Sequence, residues 1–153
     1  MPRLITAQSS VLQQVALRPS YKQALGNGNV SSGETLKASS VALTTGRDEF
    51  NSGHYDHSTG RFTAPFDGVY YFCCSWMRNG SSSGAPQLRY RLNGSSMWGR
   101  RYLSGYLTQT YETHVMVTVS NLKTGDYVDI HCNDSGPVSF YGDDSYVMGF
   151  LIG

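Results

Sequence analysis

Residues Phe50 to Phe72, FNSGHYDHSTGRFTAPFDGVYYF, decide how the chain is built. Tyr55, Phe62 and Phe66 stand apart, separated by polar or small residues, and Gly68 then opens into Val69-Tyr70-Tyr71-Phe72-Cys73-Cys74, a run of strand-forming types. The run predicts a buried strand. Just before it, Ser58-Thr59-Gly60 supplies a turn and Pro65 removes a backbone donor, so Arg61-Phe62-Thr63-Ala64 is predicted as a short edge strand. Aromatic anchors interleaved with turn residues mark the entry into an all-β domain, not a catalytic loop.

The same pattern continues downstream. Leu88, Tyr90 and Leu92 alternate with Arg89, Arg91 and Asn93, a period of two with one apolar face, and Asn93-Gly94 is a hairpin turn. A short strand from Met97 to Tyr102 follows. Tyr111, Thr113, Val115, Val117 and Val119 then alternate with Glu112, His114, Met116, Thr118 and Ser120, the cleanest long strand in the chain. That alternation requires one face to be buried. Gly125-Asp126 turns the chain into Tyr127 to Cys132, and the stretches from Val138 to Tyr141 and from Tyr146 to Ile152 finish the sheet. Turn signals roughly every ten residues, with no long helical pattern, are those of a β-sandwich.

Upstream, the segment Val41 to Thr45 is predicted as the first strand, and residues 1–40 differ in kind from the rest. They hold a few apolar anchors, Leu4, Ile5, Val11, Leu12, Val15 and Leu17, then Pro19, then the linker-like Gly26-Asn27-Gly28-Asn29 and Ser31-Ser32-Gly33. Such a segment cannot build a core of its own. The expected organisation is an N-terminal attachment arm and linker over 1–40, docking through those apolar residues, and one β domain over 41–153.

Three stretches, in order, carry a resemblance. Tyr55-Asp56, Thr59-Gly60-Arg61-Phe62-Thr63, Pro65 and Gly68-Val69-Tyr70-Tyr71-Phe72 resemble the signature of the complement C1q globular-head domain, a branch of the tumour-necrosis-factor-like jelly rolls. Leu122-Lys123-Thr124-Gly125-Asp126-Tyr127-Val128 is similar to that family's Leu-x-x-Gly-Asp-x-Val turn and strand, and Gly149-Phe150-Leu151-Ile152 is similar to its closing Gly-Phe-Leu strand. The resemblance implies an all-β C1q/tumour-necrosis-factor-like jelly-roll β-sandwich with an extended N-terminal arm. It also implies a homotrimer packed around an axis lined by aromatic and apolar side chains. The chain's 11 tyrosines suit an interface, because each buried hydroxyl needs a partner. Tyr70, Tyr90, Tyr127, Tyr146 and Phe150 are the candidates for trimer packing.

Charge and composition narrow the partners. Twelve Lys and Arg against 11 Asp and Glu leave a net charge of +1, without the clustered basic residues of a nucleic-acid face. No apolar run approaches the ~20 residues of a membrane span, and the first ten residues lack the apolar core of a secretory signal. No Gly-x-y stem is present. Cys73, Cys74 and Cys132 make an odd count, with the adjacent pair pointing to opposite faces of a strand, so they are expected as small core fillers.

Chemistry is sparse. Gly80-Ser81-Ser82-Ser83-Gly84 matches the Gly-x-Ser-x-Gly elbow of hydrolases, but Pro86 and another strand follow where that elbow needs a helix. His54, His57, His114 and His131 do not fall at a metal-binding spacing. Asp134, Asp143 and Asp144 are weak calcium candidates in late loops, outweighed by their reading as acidic turn residues; no cofactor is expected. Asn79, Ser82 and Tyr106 are candidates for outer loops. The sequence therefore predicts a non-enzymatic homotrimeric structural or binding module. The setting expected first is a phage or virus virion, as a capsid decoration protein or fibre head docked by its arm onto capsid or tail proteins, with its loops facing a host-surface ligand. The alternative is an extracellular C1q-like recognition or adhesion module.

Overall fold

The computed structural model describes residues 18–26, 28–39, 50–79, 87–103, 111–133 and 138–153, apart from the side chains of 98–103, 138 and 143. Within them, eleven strands pair antiparallel into two sheets, and there is no helix. The first sheet runs β3 (Phe50–Asn51), β1 (Ser20–Ala24), β11 (Val138–Leu151), β6 (Gly68–Arg78), β9 (Thr113–Leu122), and β2 (Gly28–Val30) also pairs with β11. The second runs β4 (Tyr55–Asp56), β5 (Arg61–Thr63), β10 (Tyr127–Cys132), β7 (Gln87–Leu92), β8 (Ser95–Leu103).

The core follows from β6. Its period of two sends Tyr70, Phe72, Cys74 and Trp76 inward, all fully buried, and Phe62 of β5 meets them from the other sheet. The Phe62 ring lies 5.6 Å from both Tyr70 and Phe72 and 5.3 Å from Tyr21, which in turn stacks on Tyr55 at 4.7 Å. Tyrosine is admitted to this core because its hydroxyls find backbone partners. Tyr70 donates to the Phe66 carbonyl at 2.8 Å, Tyr90 donates to the Met116 carbonyl at 3.1 Å, and Tyr55 accepts from the Ala38 amide at 2.9 Å. Gly149 leaves the space that two of these rings fill, since a Cβ there would stand 2.6 Å from Phe72 and 2.8 Å from Tyr21.

The quoted turn motifs lock the sandwich's ends. Gly60 sits at φ +72° in contact with the Leu36 carbonyl, a conformation and a closeness that exclude a side chain. Asp126 accepts from the Asn93 side chain and the Lys123 amide, both at 2.8 Å, and Asn93 accepts from the Tyr127 amide at 3.0 Å. Asp67 accepts from the Thr124 amide at 2.8 Å and from Lys123 Nζ at 3.0 Å. These bonds pull the Asp67 carboxyl down to about 2, with the Thr124 amide the largest cause. The Gly-Asp turn thus ties the Asn93-Gly94 hairpin to the loop before β6.

Two expectations are corrected. Residues 20–38, expected as part of the N-terminal attachment arm and linker over 1–40, pair and pack with the sandwich. β1 lies between β3 and β11, its Tyr21 is in the core, Thr35 bridges to His131, and Leu36 and Ala38 are buried. The expected first strand over 41–45 lies outside the described residues. The strand Arg61–Thr63 is short, as expected, but has β4 on one side and β10 on the other; Pro65 falls just past its end. β9 buries one face, as the alternation requires, and it is the side opposite the valines. His114, Met116, Thr118 and Ser120 point inward, while Val115, Val117 and Val119 point out. Paired residues share a face, and β9 pairs Trp76 with His114, Cys74 with Met116, Phe72 with Thr118 and Tyr70 with Ser120. The larger side chains of β6 claim the interior and carry their partners in with them.

Candidate assembly interface

The first sheet's outward face is the residue of that choice. Reading across strands by register, one row holds Ser20, Phe150, Tyr71 and Val119, the next Phe50, Lys22, Met148, Cys73 and Val117, and the next Ala24, Tyr146, Ser75 and Val115. Val115 is 54% exposed, Val117 49%, Val119 46% and Phe150 38%. Phe50, Val69 and Ile152 are exposed as well, and the Tyr71 and Phe150 rings pack 5.1 Å apart. An apolar surface spanning five strands, with Lys22 as its only charged member in these rows, is unlike a solvated sheet face.

Its titratable groups are quiet. Burial pushes the Cys73 thiol above its ordinary value, against the opposing hydrogen bonds from Tyr71 and Tyr146, so no nucleophilic thiolate forms there near neutrality. Burial likewise raises Tyr71 and Tyr146. The Lys22 ammonium lies 5.3 Å over the Tyr146 ring.

The five trimer-packing candidates divide three ways. Tyr146 and Phe150 lie on this outward face. Tyr70 and Tyr90 do not, since both are committed to the protomer's own core with their hydroxyls bonded to its backbone. Tyr127 stands on the second sheet, with the Arg61 guanidinium 4.2 Å over its ring. The face also holds Tyr71, Met148, Phe50 and the three valines, none of which the aromatic signal picked out. For the three valines the available signal was the strict alternation in β9, which sets them together on one side.

The remaining candidates are dispersed. Asn79 follows β6, its amide donating to the Ser139 carbonyl at 3.2 Å, while Ser82 and Tyr106 lie outside the described residues. So do Asp134, the Gly80-to-Gly84 stretch and the arm residues Leu4, Ile5, Val11, Leu12, Val15 and Leu17. The side chain of Asp143 is also outside the description, and Asp144 is exposed at the irregularity of β11. Among the described residues no group of three or more His, Cys, Asp or Glu could hold a metal ion. Cys73, Cys74 and Cys132 are all buried, and none is in a disulfide among the described residues. No described helix is long and apolar enough to cross a membrane.

On the second sheet's outward side, Asp129 is buried by a forked pair with Arg91, Nε at 2.6 Å and Nη2 at 2.8 Å, and Arg91 also donates to Thr35 at 3.0 Å. This network fastens residues 33–36 along β10, beside the backbone bonds from Gly33 and Leu36 to the Cys132 and Ile130 carbonyls. It explains how a polar N-terminal segment is held without an apolar stripe of its own.

Two facing antiparallel sheets with this strand order define a jelly-roll β-sandwich. Residues 39–152 match the model of the C1q domain, and the chain belongs to the C1q domain family. Among solved structures 244 chains match it significantly. One is the globular domain of zebrafish complement 1qA protein, 21% identical, covering 88% of this chain and 98% of that one with a TM-score of 0.61. That likeness concerns the fold. No curated protein matches the chain significantly.

Proposed function

We propose that the protein is a non-enzymatic, homotrimeric recognition module that assembles through the outward face of its first sheet. One observation carries this reading: β9 alternates strictly, yet its valine side is left exposed while its polar side is turned inward. A sheet face this apolar is stable in water when something covers it, and a second and third copy of the same face edge satisfy that need with rotational closure. Membership of the C1q domain family supports it, since C1q domains generally trimerise and bind ligands. Trimerisation would gather three sets of outer loops into one multivalent head.

The extracellular recognition reading is the one the family favours. The virion setting rested on features missing from the sequence, and neither the fold nor the family adds support to it.

The experiment is a charge placed on each face in turn. Val117→Glu, in the middle of the outward face, should reduce the mass in solution to that of one chain while the β-sheet circular dichroism persists. Thr63→Glu, exposed on the second sheet, should leave the assembly intact. Assembly surviving Val117→Glu and lost with Thr63→Glu would move the interface to the other sheet and overturn the proposal.

A further inference from the structure

A cleft of about 540 Å³ lies between the N-terminal strands and the turn that leads into β5. That volume falls within the roughly 300–1,000 Å³ of small-molecule sites. None of its lining residues is in the three apolar rows of the first sheet described above. Its floor is apolar: Leu25, Val30, Leu36 and Phe140 come from three separate segments, each at most 7% exposed.

The rim is donor-rich. Lys37 is exposed and makes no ion pair among the described residues. Arg61 is held by its stacking on Tyr127 and by Asp129, 3.6 Å from its Nε. The Asp129 oxygens are already closed by Arg91, so the two terminal amino groups of Arg61 have no hydrogen-bond partner among the described residues. Three polar side chains of the rim are engaged within the chain. Glu34 accepts from the Ser31 amide at 2.8 Å, and the hydroxyls of Ser58 and Thr59 donate to Asp56 at 2.7 and 2.9 Å. What remains unfilled is a preorganised guanidinium fork and an ammonium above an apolar floor.

We propose that this cleft binds a small amphiphilic carboxylate. The apolar body lies on Leu25, Val30, Leu36 and Phe140, and the carboxylate is received by Arg61 and Lys37. An anion alone would leave the cleft above these side chains unfilled, and an uncharged body would leave the guanidinium fork unpaired, so both halves of the ligand are needed.

The test is a titration of the full chain with sodium octanoate, followed through the methyl resonances of Leu25, Val30 and Leu36. Octanol serves as the uncharged body and sulfate as the anion without a body. Octanoate should give saturable shifts at these methyls, with octanol and sulfate binding at least about tenfold more weakly, as loss of a charge-assisted pair or of the apolar body requires. Arg61→Gln should weaken octanoate by about tenfold. Lys37→Gln should weaken it too, and because Lys37 is exposed and makes no ion pair, that variant keeps the fold. Failure of octanoate to saturate, equal binding of octanol, unchanged binding by Lys37→Gln and Arg61→Gln, or shifts confined to Val115, Val117 and Val119 would each overturn the proposal. The last result would place the ligand on the outward face of the first sheet instead of in the cleft.

Discussion

Gly149 shows how little room the core leaves at a single position. It belongs to the closing Gly-Phe-Leu stretch, and the space over its Cα is occupied by Phe72 and Tyr21. Both rings are fixed by neighbours, Phe72 by Phe62 and Tyr90, Tyr21 by Tyr55, so neither can retreat cheaply. Gly149→Ala is expected to cost about 1–3 kcal/mol through overpacking, measured as a lowered midpoint of denaturant unfolding. An unchanged midpoint would mean that the rings do not meet over Gly149.

At the same scale, protonation sets an acid limit in two stages. His114 and His131 both have pKa values lowered from 6.5, burial being the first cause in each. For His114 Arg78 adds to the lowering and Glu112 opposes it; for His131 Arg91 and Arg89 add and Asp129 opposes. A base held below its unfolded value takes its proton more readily in the unfolded chain. Its contribution is therefore present above 6.5 and is lost as the pH falls from there toward the folded values. Asp56, Asp67 and Asp126 have carboxyls lowered from 3.8, Asp67 to about 2. Their contribution holds above 3.8 and is lost as the pH falls toward about 2. Thermal unfolding should thus show a first decline beginning below 6.5 and a second below 3.8. A melting temperature that stays level from pH 7.5 to 4.5 would contradict the histidine assignment.

At the scale of the element, β1 is the strand whose removal is most informative. Five residues, Ser20 to Ala24, join β3 to β11, and the segment that follows places Leu36 and Ala38 in the core. A chain beginning at Val41 would strip β11 of a partner along its length and delete Tyr21 from the aromatic cluster. It is expected not to fold, whereas a chain beginning at Arg18 is expected to fold, both judged by circular dichroism and by dispersion of amide resonances. A folded chain from Val41 would show that β1 is dispensable.

The same element marks where the sequence was legible and where it was not. The strand from Gly68, the hairpin at Asn93-Gly94 and the turn at Gly125-Asp126 each carry a dense local signal, a run of β-formers or a φ-permissive pair, and each stands where expected. β1 carries none: of Ser-Tyr-Lys-Gln-Ala only Tyr21 is a large apolar side chain, and Pro19 and Gly26 bracket it like a linker. Its place is decided by register with β11, a partner more than a hundred residues away. β9 teaches the complementary lesson. Alternation identified the strand, but its inward side was set by pairing with Tyr70, Phe72 and Trp76 on β6, which no window over β9 contains. The apolar face is legible only in part for the same reason: Tyr146 and Phe150 carry an aromatic signal, whereas the valines join them only through register.

At the scale of the whole molecule, the sandwich has an interior filled by aromatic rings and a second apolar surface left outside. The two are linked by the pleat of β6 and β9, since every ring drawn into the core sends its strand neighbour outward, and those neighbours are Tyr71, Cys73 and, across the pair, the valines. A single chain in water would keep that face wet. The proposed assembly would follow from how the core is filled.

The mass of the full chain in solution, measured by light scattering across a range of concentrations, tests this most directly. The account predicts three times the 16.8 kDa of one chain, maintained on dilution. A mass of 16.8 kDa throughout would contradict it, showing that the valine face is tolerated uncovered and that the protein recognises its ligand as a single head.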